Sequence, residues 1–138
     1  MEGWFPVAWS HEIERKPRAC RLSGRPLVIY RTEEGSVVAF DDRCPHRHAP
    51  LSQGKLIEDT LQCPYHGWSF DQAGQCVRIP ASLAQESIER APPLTSWRVY
   101  EGMGLVWVAP QSGKLFTPWD VLPEMQASMR DSQTTIEF

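Results

Sequence analysis

Two short segments of the chain each place a cysteine close to a histidine. They are Cys44-Pro45-His46 and Cys63-Pro64-Tyr65-His66. A residue before proline is driven into extended backbone, so both cysteines are predicted to be extended. Side chains two positions apart in extended backbone share a face, so Cys44 and His46 can reach one centre. A turn at Gly67 can bring His66 back, and each segment then offers one soft and one borderline metal ligand.

This pattern resembles the Rieske iron–sulfur family, whose signature is C-x-H, a spacer, then C-x-x-H. The likeness covers about residues 4–110 and is closest to the N-terminal Rieske domains of ring-hydroxylating oxygenases. The similar stretches are Cys44-Pro45-His46-Arg47-His48-Ala49-Pro50-Leu51, Cys63-Pro64-Tyr65-His66-Gly67-Trp68-Ser69-Phe70-Asp71, Gly74 and Ile79-Pro80-Ala81. The resemblance implies that Cys44 and Cys63 hold one iron of a [2Fe–2S] cluster. It implies that His46 and His66 hold the other.

The same four residues also form the donor set of a tetrahedral Cys2His2 zinc site. Zinc fingers usually take two cysteines from one element and two histidines from another, whereas here each segment supplies one of each. This alternation favours the binuclear cluster, and zinc is the alternative.

The positions around the ligands bear on the reduction potential. Rieske proteins of respiratory cytochrome bc complexes have extra cysteines that bridge the two loops, and a serine and a tyrosine that donate to the sulfurs. The corresponding residues here are Ala49, Tyr65, Trp68 and Phe70. The resemblance therefore implies a potential in the low part of the Rieske range of roughly −150 to +300 mV. We also expect Trp68 to shield the cluster from water.

Arg47 and His48 follow directly after a proposed ligand. We expect His48 to face solvent or to support the ligands from behind, with a role as a third donor as the alternative. Arg47 is interpreted either as a structural surface residue or as a charge that faces a redox partner.

Short runs of β-branched and aromatic residues lie between turn signals and predict strands. The runs are residues 27–31, 37–41, 68–71, 76–79, 97–100 and 105–109. Hairpin turns are predicted at 32–35, 72–75 and 101–104, because each contains glycine. Frequent prolines restrict helix to 82–90 and 121–130. The pattern indicates an all-β domain, and the resemblance implies a Rieske-type antiparallel β-sandwich with a smaller cluster-binding subdomain made of two loops.

Several other residues have plainer interpretations. Trp97 and Trp107 fall in predicted strands and are expected in the core. Cys20 and Cys76 are predicted to lie in strands and are expected to be buried free thiols. His11 lies between polar neighbours and is expected at the surface.

The chain has 138 residues, which suits one ordinary domain. We assign 1–110 to a Rieske [2Fe–2S] domain and 111–138 to a linker or tail that leads toward an absent catalytic domain. Fourteen basic and 17 acidic residues, without long runs of like charge, argue against a nucleic-acid partner. No apolar run approaches the ~20 residues of a membrane span. The N-terminus does not resemble a secretory signal, so we expect a cytoplasmic location.

The expected function is electron transfer, as the Rieske domain of an aromatic-ring-hydroxylating oxygenase. Such enzymes also use a mononuclear Fe(II) site of two histidines and a carboxylate. No histidine follows His66, so this iron would belong to the absent catalytic domain. The implied partners are a flavin or ferredoxin reductase and that catalytic domain, with a homotrimer for the parent protein. The alternative function is a free-standing Rieske-type ferredoxin that carries electrons from a reductase to a separate oxygenase.

Overall fold

The computed structural model describes residues 3–45, 48–64, 67–79 and 91–111. These ranges contain ten strands and two single-turn 3₁₀ helices, at Ser10–Glu12 and Leu51–Gln53. The strands are β1 (Phe5–Trp9), β2 (Arg18–Leu22), β3 (Arg25–Arg31), β4 (Val37–Asp41), β5 (Lys55–Ile57), β6 (Thr60–Gln62), β7 (Ser69–Phe70), β8 (Cys76–Arg78), β9 (Ser96–Gly102) and β10 (Leu105–Ala109). The prediction of an all-β fold is confirmed. In the described part of the chain, no helix is long and apolar enough to cross a bilayer.

Six strands form one antiparallel sheet in the order β1-β10-β9-β4-β3-β2. The β2–β3 and β9–β10 hairpins each turn through two residues with positive φ, Ser23-Gly24 and Met103-Gly104. Such turns match the right-handed twist of the strands they join. Because the β9–β10 turn takes only two residues, β9 ends at Gly102, two residues beyond the predicted end of this strand.

Strand β3 is buried on both faces, which explains its continuous apolar sequence. Leu27 and Ile29 pack in one core with residues of β1, β4, β9 and β10. Val28 and Tyr30 point to the opposite face and join a second core. The second core is the one that contains Cys44 and reaches into the smaller sheet.

The smaller sheet has four antiparallel strands in the order β5-β6-β7-β8. The link between β6 and β7 carries the second Cys–His segment, with Gln62 paired to Ser69 at its base. The smaller part of the fold thus consists of the two predicted loops together with a sheet of its own.

All six predicted strands are present, although several bounds differ. The runs at 37–41 and 105–109 match β4 and β10, whereas 68–71 and 76–79 shorten to β7 and β8. Three strands, β1, β5 and β6, were not predicted, and β2 was predicted only as a strand around Cys20, without bounds. β5 and β6 have three residues each, too few to show an alternating pattern. The helices predicted at 82–90 and 121–130 lie outside the described residues.

Candidate metal centre

The first ligand segment forms a tight loop after β4. The backbone N–H of Cys44 donates to the carbonyl of Ala49 at 2.8 Å, and the N–H of His48 donates to the carbonyl of Cys44 at 2.7 Å. His48 adopts φ 58°, a left-handed conformation that is uncommon for a residue with a side chain. These contacts hold the Cys44 thiol, which is fully buried, at a defined place in the second core.

The second segment turns back on itself in a similar way. The N–H of Cys63 donates to the carbonyl of Trp68 at 2.7 Å. Gly67 makes the reversal with φ 69°, as the predicted turn at this glycine requires. Cys63 is buried as well, so each loop brings one thiol into the protein interior.

Cys44 and Cys63 belong to the same apolar core and neither forms a disulfide. Trp68 packs in this core together with Phe70 and Leu51, which are both fully buried. Two buried thiols on separate loops, in surroundings that exclude water, fit a metal–sulfur group that takes thiolate ligands from both loops. His46, Arg47, Tyr65 and His66 lie outside the described residues.

Two carboxylates fix the chain just before Cys44. Asp42 accepts hydrogen bonds from the N–H and hydroxyl of Ser52, at 2.7 and 2.5 Å, and so ties the start of the loop to the turn that follows it. Asp41 accepts from Arg25 Nε and Nη2 at 3.1 and 2.8 Å. This pair raises the pKa of Arg25 through the hydrogen bond to Asp41. Sequence reasoning missed this support, although two adjacent aspartates, three and two residues before a proposed ligand, were a visible signal.

His48 is exposed, and its Nδ1 accepts a 2.8 Å hydrogen bond from Nε of Arg43. The contact joins the two ends of the first loop. Sequence reasoning did not identify Arg43, because its role depends on the left-handed turn at His48.

The other two cysteines lie away from the loops in sequence and differ from each other in exposure. Cys76 is buried as predicted, and burial raises the pKa of its thiol. Cys20 was also predicted to be buried, but it is only half-buried, because β2 is an edge strand of the large sheet. Burial still raises the pKa of Cys20 to about 12, with a further contribution from Asp42. The prediction for His11 is confirmed, since it is exposed.

This arrangement of loops and strands corresponds to one known domain. The family described as Rieske [2Fe-2S] domain matches residues 3–96, which include both loops and the strands that carry them. The chain belongs to this family. The part that matches the Rieske domain contains β1–β8, and so the whole of the smaller sheet.

Relatives of this Rieske chain include oxygenase components. The oxygenase component of dicamba O-demethylase from Stenotrophomonas maltophilia is 39% identical over 115 residues, which cover 83% of this chain and 33% of the relative. The chloroplastic protein TIC 55 of Arabidopsis thaliana is 39% identical over 108 residues, covering 78% of this chain and 20% of the relative.

The crystal structure of apo dicamba monooxygenase matches the fold with a TM-score of 0.71 and 38% identity, over 80% of this chain and 34% of that one. The Rieske chain therefore spans about a fifth to a third of the length of these relatives.

Proposed function

We propose that the chain transfers single electrons through a Rieske-type [2Fe–2S] cluster held by Cys44, His46, Cys63 and His66. The main support is the pair of buried thiols on two loops whose backbones are closed by hydrogen bonds. Such a cluster, when bound, supplies reversible one-electron chemistry at a higher potential than an all-cysteine cluster, because imidazole is neutral.

The side chains around the two thiols determine how polar the proposed cluster site is. Trp68 and Phe70 place apolar rings in the core that contains both thiols, which limits access of water. The hydroxyl of Ser69, the first residue of β7, donates to the carbonyl of Gly67 at 3.2 Å and is thereby engaged in the backbone turn. Neither Trp68 nor Phe70 offers a hydroxyl to a sulfur. The low end of the Rieske range of potentials follows from these side chains.

The proposed context is the N-terminal domain of an oxygenase component, with residues 1–110 as the Rieske domain and 111–138 leading to a catalytic domain. The chain covers only a third of dicamba O-demethylase, and that relative is an oxygenase component. A mononuclear Fe(II) in the catalytic domain, a flavin or ferredoxin reductase as electron source, a homotrimeric parent protein and a cytoplasmic location are parts of the same proposal.

One observation favours the second candidate, a free-standing Rieske-type ferredoxin. Strand β10 pairs with both β1 and β9, so the first and the last described strands lie side by side in one sheet. The extent of similarity to oxygenase components supports the first candidate more strongly.

The test is anaerobic reconstitution of the 138-residue chain with iron and sulfide. We expect about two irons and two sulfides per chain, a red-brown colour, and an EPR signal on reduction. Cys44→Ala and Cys63→Ala are expected to abolish these signals, whereas Cys20→Ala and Cys76→Ala are expected to keep them. Colourless protein with stoichiometric zinc would contradict the proposal.

A further inference from the structure

The β5–β6 turn of the smaller sheet is bound by one arginine from outside that sheet. Arg15 lies between the first 3₁₀ helix and β2, and its Nη1 donates to Oδ1 of Asp59 at 3.0 Å. Its Nη2 donates to the carbonyl of Glu58 at 2.7 Å. Glu58 and Asp59 are the two residues that connect β5 to β6. We call Arg15 with these two residues the turn clamp.

Arg15 is itself held at the end of β3. Its Nη1 also donates to the carbonyl of Arg31 at 3.1 Å. The residue before it, Glu14, accepts a 2.9 Å backbone hydrogen bond from the N–H of Arg31. Asp59 receives a second donor from the same region, because the N–H of Glu33 in the β3–β4 turn donates to its Oδ1 at 3.0 Å. The turn clamp therefore joins the smaller sheet to a fixed part of the large sheet.

The turn that the clamp holds has an unfavourable backbone. Glu58 adopts φ 57°, in the left-handed region that glycine enters without steric cost. Residues with a side chain stay in such a conformation only where surrounding contacts enforce it. The hydrogen bond from Arg15 to the carbonyl of Glu58 is a contact of this kind. Loss of Arg15 is therefore expected to let the turn relax and shift.

Strand β6 connects the turn clamp to the second ligand loop. The strand has only three residues, Thr60–Gln62, so Asp59 and Cys63 lie directly at its two ends. At a rise of ~3.3 Å per residue, their Cα atoms are roughly 13 Å apart. Leu61, in the middle of β6, is fully buried in the core that contains Cys63. Close-packed interiors transmit strain, so a shift of the turn is expected to displace Cys63 as well.

The charges of the turn clamp act on the same core. Burial raises the pKa of the Tyr30 hydroxyl, which lies in this core, and the charges of Asp59 and Asp71 add to the rise, whereas Arg15 opposes it. The ion pair of Arg15 and Asp59 is thus felt inside the protein. Water screens such a pair less than it screens a fully exposed one.

We propose that Arg15 is a positioning residue for the metal centre: together with Asp59 it fixes where Cys63 enters the site. The proposal rests on the proposed function, because it assumes that Cys63 binds the cluster. Functional groups need to be held within about 0.5 Å of their working geometry by the residues behind them. The turn clamp does this for the second loop, as the bonds between Asp42 and Ser52 do for the first.

The test compares the reconstituted 138-residue chain with its Arg15→Gln variant. Without the turn clamp, Cys63 is expected to take a range of positions, which differ from molecule to molecule. The EPR lines of the reduced cluster are then expected to broaden, because their positions depend on ligand geometry. Iron release to a chelator, measured without denaturant, is expected to be about five-fold faster. Urea denaturation of both chains measures the accompanying change in global stability.

Arg18→Gln is the matched control. Arg18 is a similarly exposed arginine, and its Nη2 lies 2.6 Å from Oε2 of Glu12, away from the smaller sheet. This variant is expected to leave line widths and iron release unchanged. Arg15→Lys keeps the charge but replaces the planar fork with an ammonium group, so intermediate values are expected. If Arg15→Gln gives no folded chain, Arg15→Lys decides the matter, and iron release as slow as in Arg18→Gln would overturn the proposal.

A double variant tests whether Arg15 acts through Asp59. Asp59→Asn removes the charge but keeps an oxygen that can accept from the N–H of Glu33. If the two residues work as one clamp, Arg15→Gln combined with Asp59→Asn is expected to release iron no faster than Arg15→Gln alone. Independent, multiplying effects of the two substitutions on the rate would overturn the proposal.

The outcomes for the positioning role and for the proposed function are distinct. A parent chain that binds no [2Fe–2S] cluster would overturn both. A parent chain that binds the cluster, with equal line widths and equal iron release in Arg15→Gln and Arg18→Gln, would overturn the positioning role and leave electron transfer standing. The same conclusion would follow if Arg15→Gln lowered only the stability toward urea, since the ion pair would then be merely structural.

Discussion

The indole Nε1 of Trp97 donates a 2.9 Å hydrogen bond to the carboxylate of Asp41, across two strands and 56 residues of sequence. The guanidinium of Arg25 binds the same carboxylate and lies 5.0 Å from the centre of the Trp97 ring system. Asp41 ends β4, and Cys44 follows three residues later. This group of three side chains therefore sets the point from which the first ligand loop leaves the sheet.

Trp97→Phe is expected to lower the free energy of unfolding by about 1.5 kcal/mol, because a hydrogen bond to a charged acceptor is lost. It should also speed iron release to a chelator from the reconstituted chain, since the loop loses part of its anchor. The control is Trp107→Phe, a buried indole whose Nε1 donates to the carbonyl of Gly102 at the far end of β9. Equal rates of iron release from the two variants would contradict a specific link between Asp41 and the loop.

How far the sequence could predict this site depends on the range of the contacts involved. Both ligand segments could be predicted from the sequence, because the effect of proline and the spacing of cysteine and histidine involve only neighbouring residues. Strand β3 could be predicted because its burial on both faces requires a continuous apolar run. The bond between Trp97 and Asp41 depends on the pairing of β4 with β9, where Ala39 lies opposite Trp97. The pair of Arg43 and His48 depends on one unusual φ. Neither register nor a left-handed histidine can be derived from composition or spacing.

Gly54 precedes β5 and has no room for a side chain. A Cβ at this position would lie 1.9 Å from the carbonyl oxygen of Gln62, which is a backbone atom and cannot swing away. Gln62 directly precedes Cys63. Gly54→Ala is therefore expected to push β6 away, to cost about 3 kcal/mol of stability and to impair cluster retention.

The matched control for Gly54 is Gly35→Ala, in the turn between β3 and β4. Gly35 has φ 93° but nothing within 4 Å of its would-be Cβ, so only local backbone strain is expected there. Both variants are compared by their thermal unfolding and by their iron content per chain. Retention of full iron content by Gly54→Ala would show that β5 and β6 can separate without disturbing the second loop.

Glu101 links β9 to β3 through an ion pair with Arg31, and to the segment after β1 through a hydrogen bond from Ser10. Burial opposes ionisation of Glu101, but the hydrogen bonds from Arg31 and Ser10 outweigh it and lower its pKa below the ordinary 4.5. A carboxylate with a lowered folded-state pKa stabilises the fold at pH values above its unfolded pKa. This stabilisation is lost as the pH falls through the folded-state pKa.

Glu101→Gln is accordingly expected to flatten the fall of the unfolding free energy as the pH is lowered below the ordinary pKa of 4.5. Urea denaturation at a series of pH values measures this slope. Glu34→Gln, an exposed carboxylate in the β3–β4 turn, provides the control. An unchanged slope in Glu101→Gln would mean that the ion pair with Arg31 does not contribute to acid stability.

The reduction potential of the reconstituted chain is expected to lie below about 0 mV, in the low part of the Rieske range. Phe70→Tyr adds a hydroxyl to a fully buried ring in the core that contains Cys44 and Cys63. If the hydroxyl donates to a sulfur, the potential rises by about 40 mV, the equivalent of ~1 kcal/mol for one electron.

Phe40→Tyr is the control for this measurement. The ring of Phe40 lies against the β7–β8 turn, with its Cε1 atom 3.1 Å from the position of a Cβ on Gly74. Protein-film voltammetry of both variants gives the potentials directly. A potential of the parent chain near +300 mV would show that the hydrogen-bond argument is wrong.

The chain alone is expected to accept and donate electrons without hydroxylating any substrate. A mononuclear iron that activates dioxygen needs two histidines and a carboxylate on one face. Two of the four histidines of the chain are proposed cluster ligands, which leaves His11 and His48. His11 lies beside the β9–β10 turn, because the N–H of Ser10 donates to the carbonyl of Gly104. His48 belongs to the loop after β4, which pairs with the opposite end of β9.

Seven residues of β9 separate those two ends, a span of roughly 20 Å at the usual rise of ~3.3 Å per residue. His11 and His48 therefore cannot bind one iron while the large sheet is intact. The measurement supplies the reconstituted chain with a reductase, NADH, O₂ and a panel of aromatic acids and ethers, and follows product by mass spectrometry. A mixture without the chain corrects for oxygen consumed by the reductase itself. Product formed in proportion to NADH oxidised would require a second iron site in these 138 residues, built from ligands other than this pair of histidines.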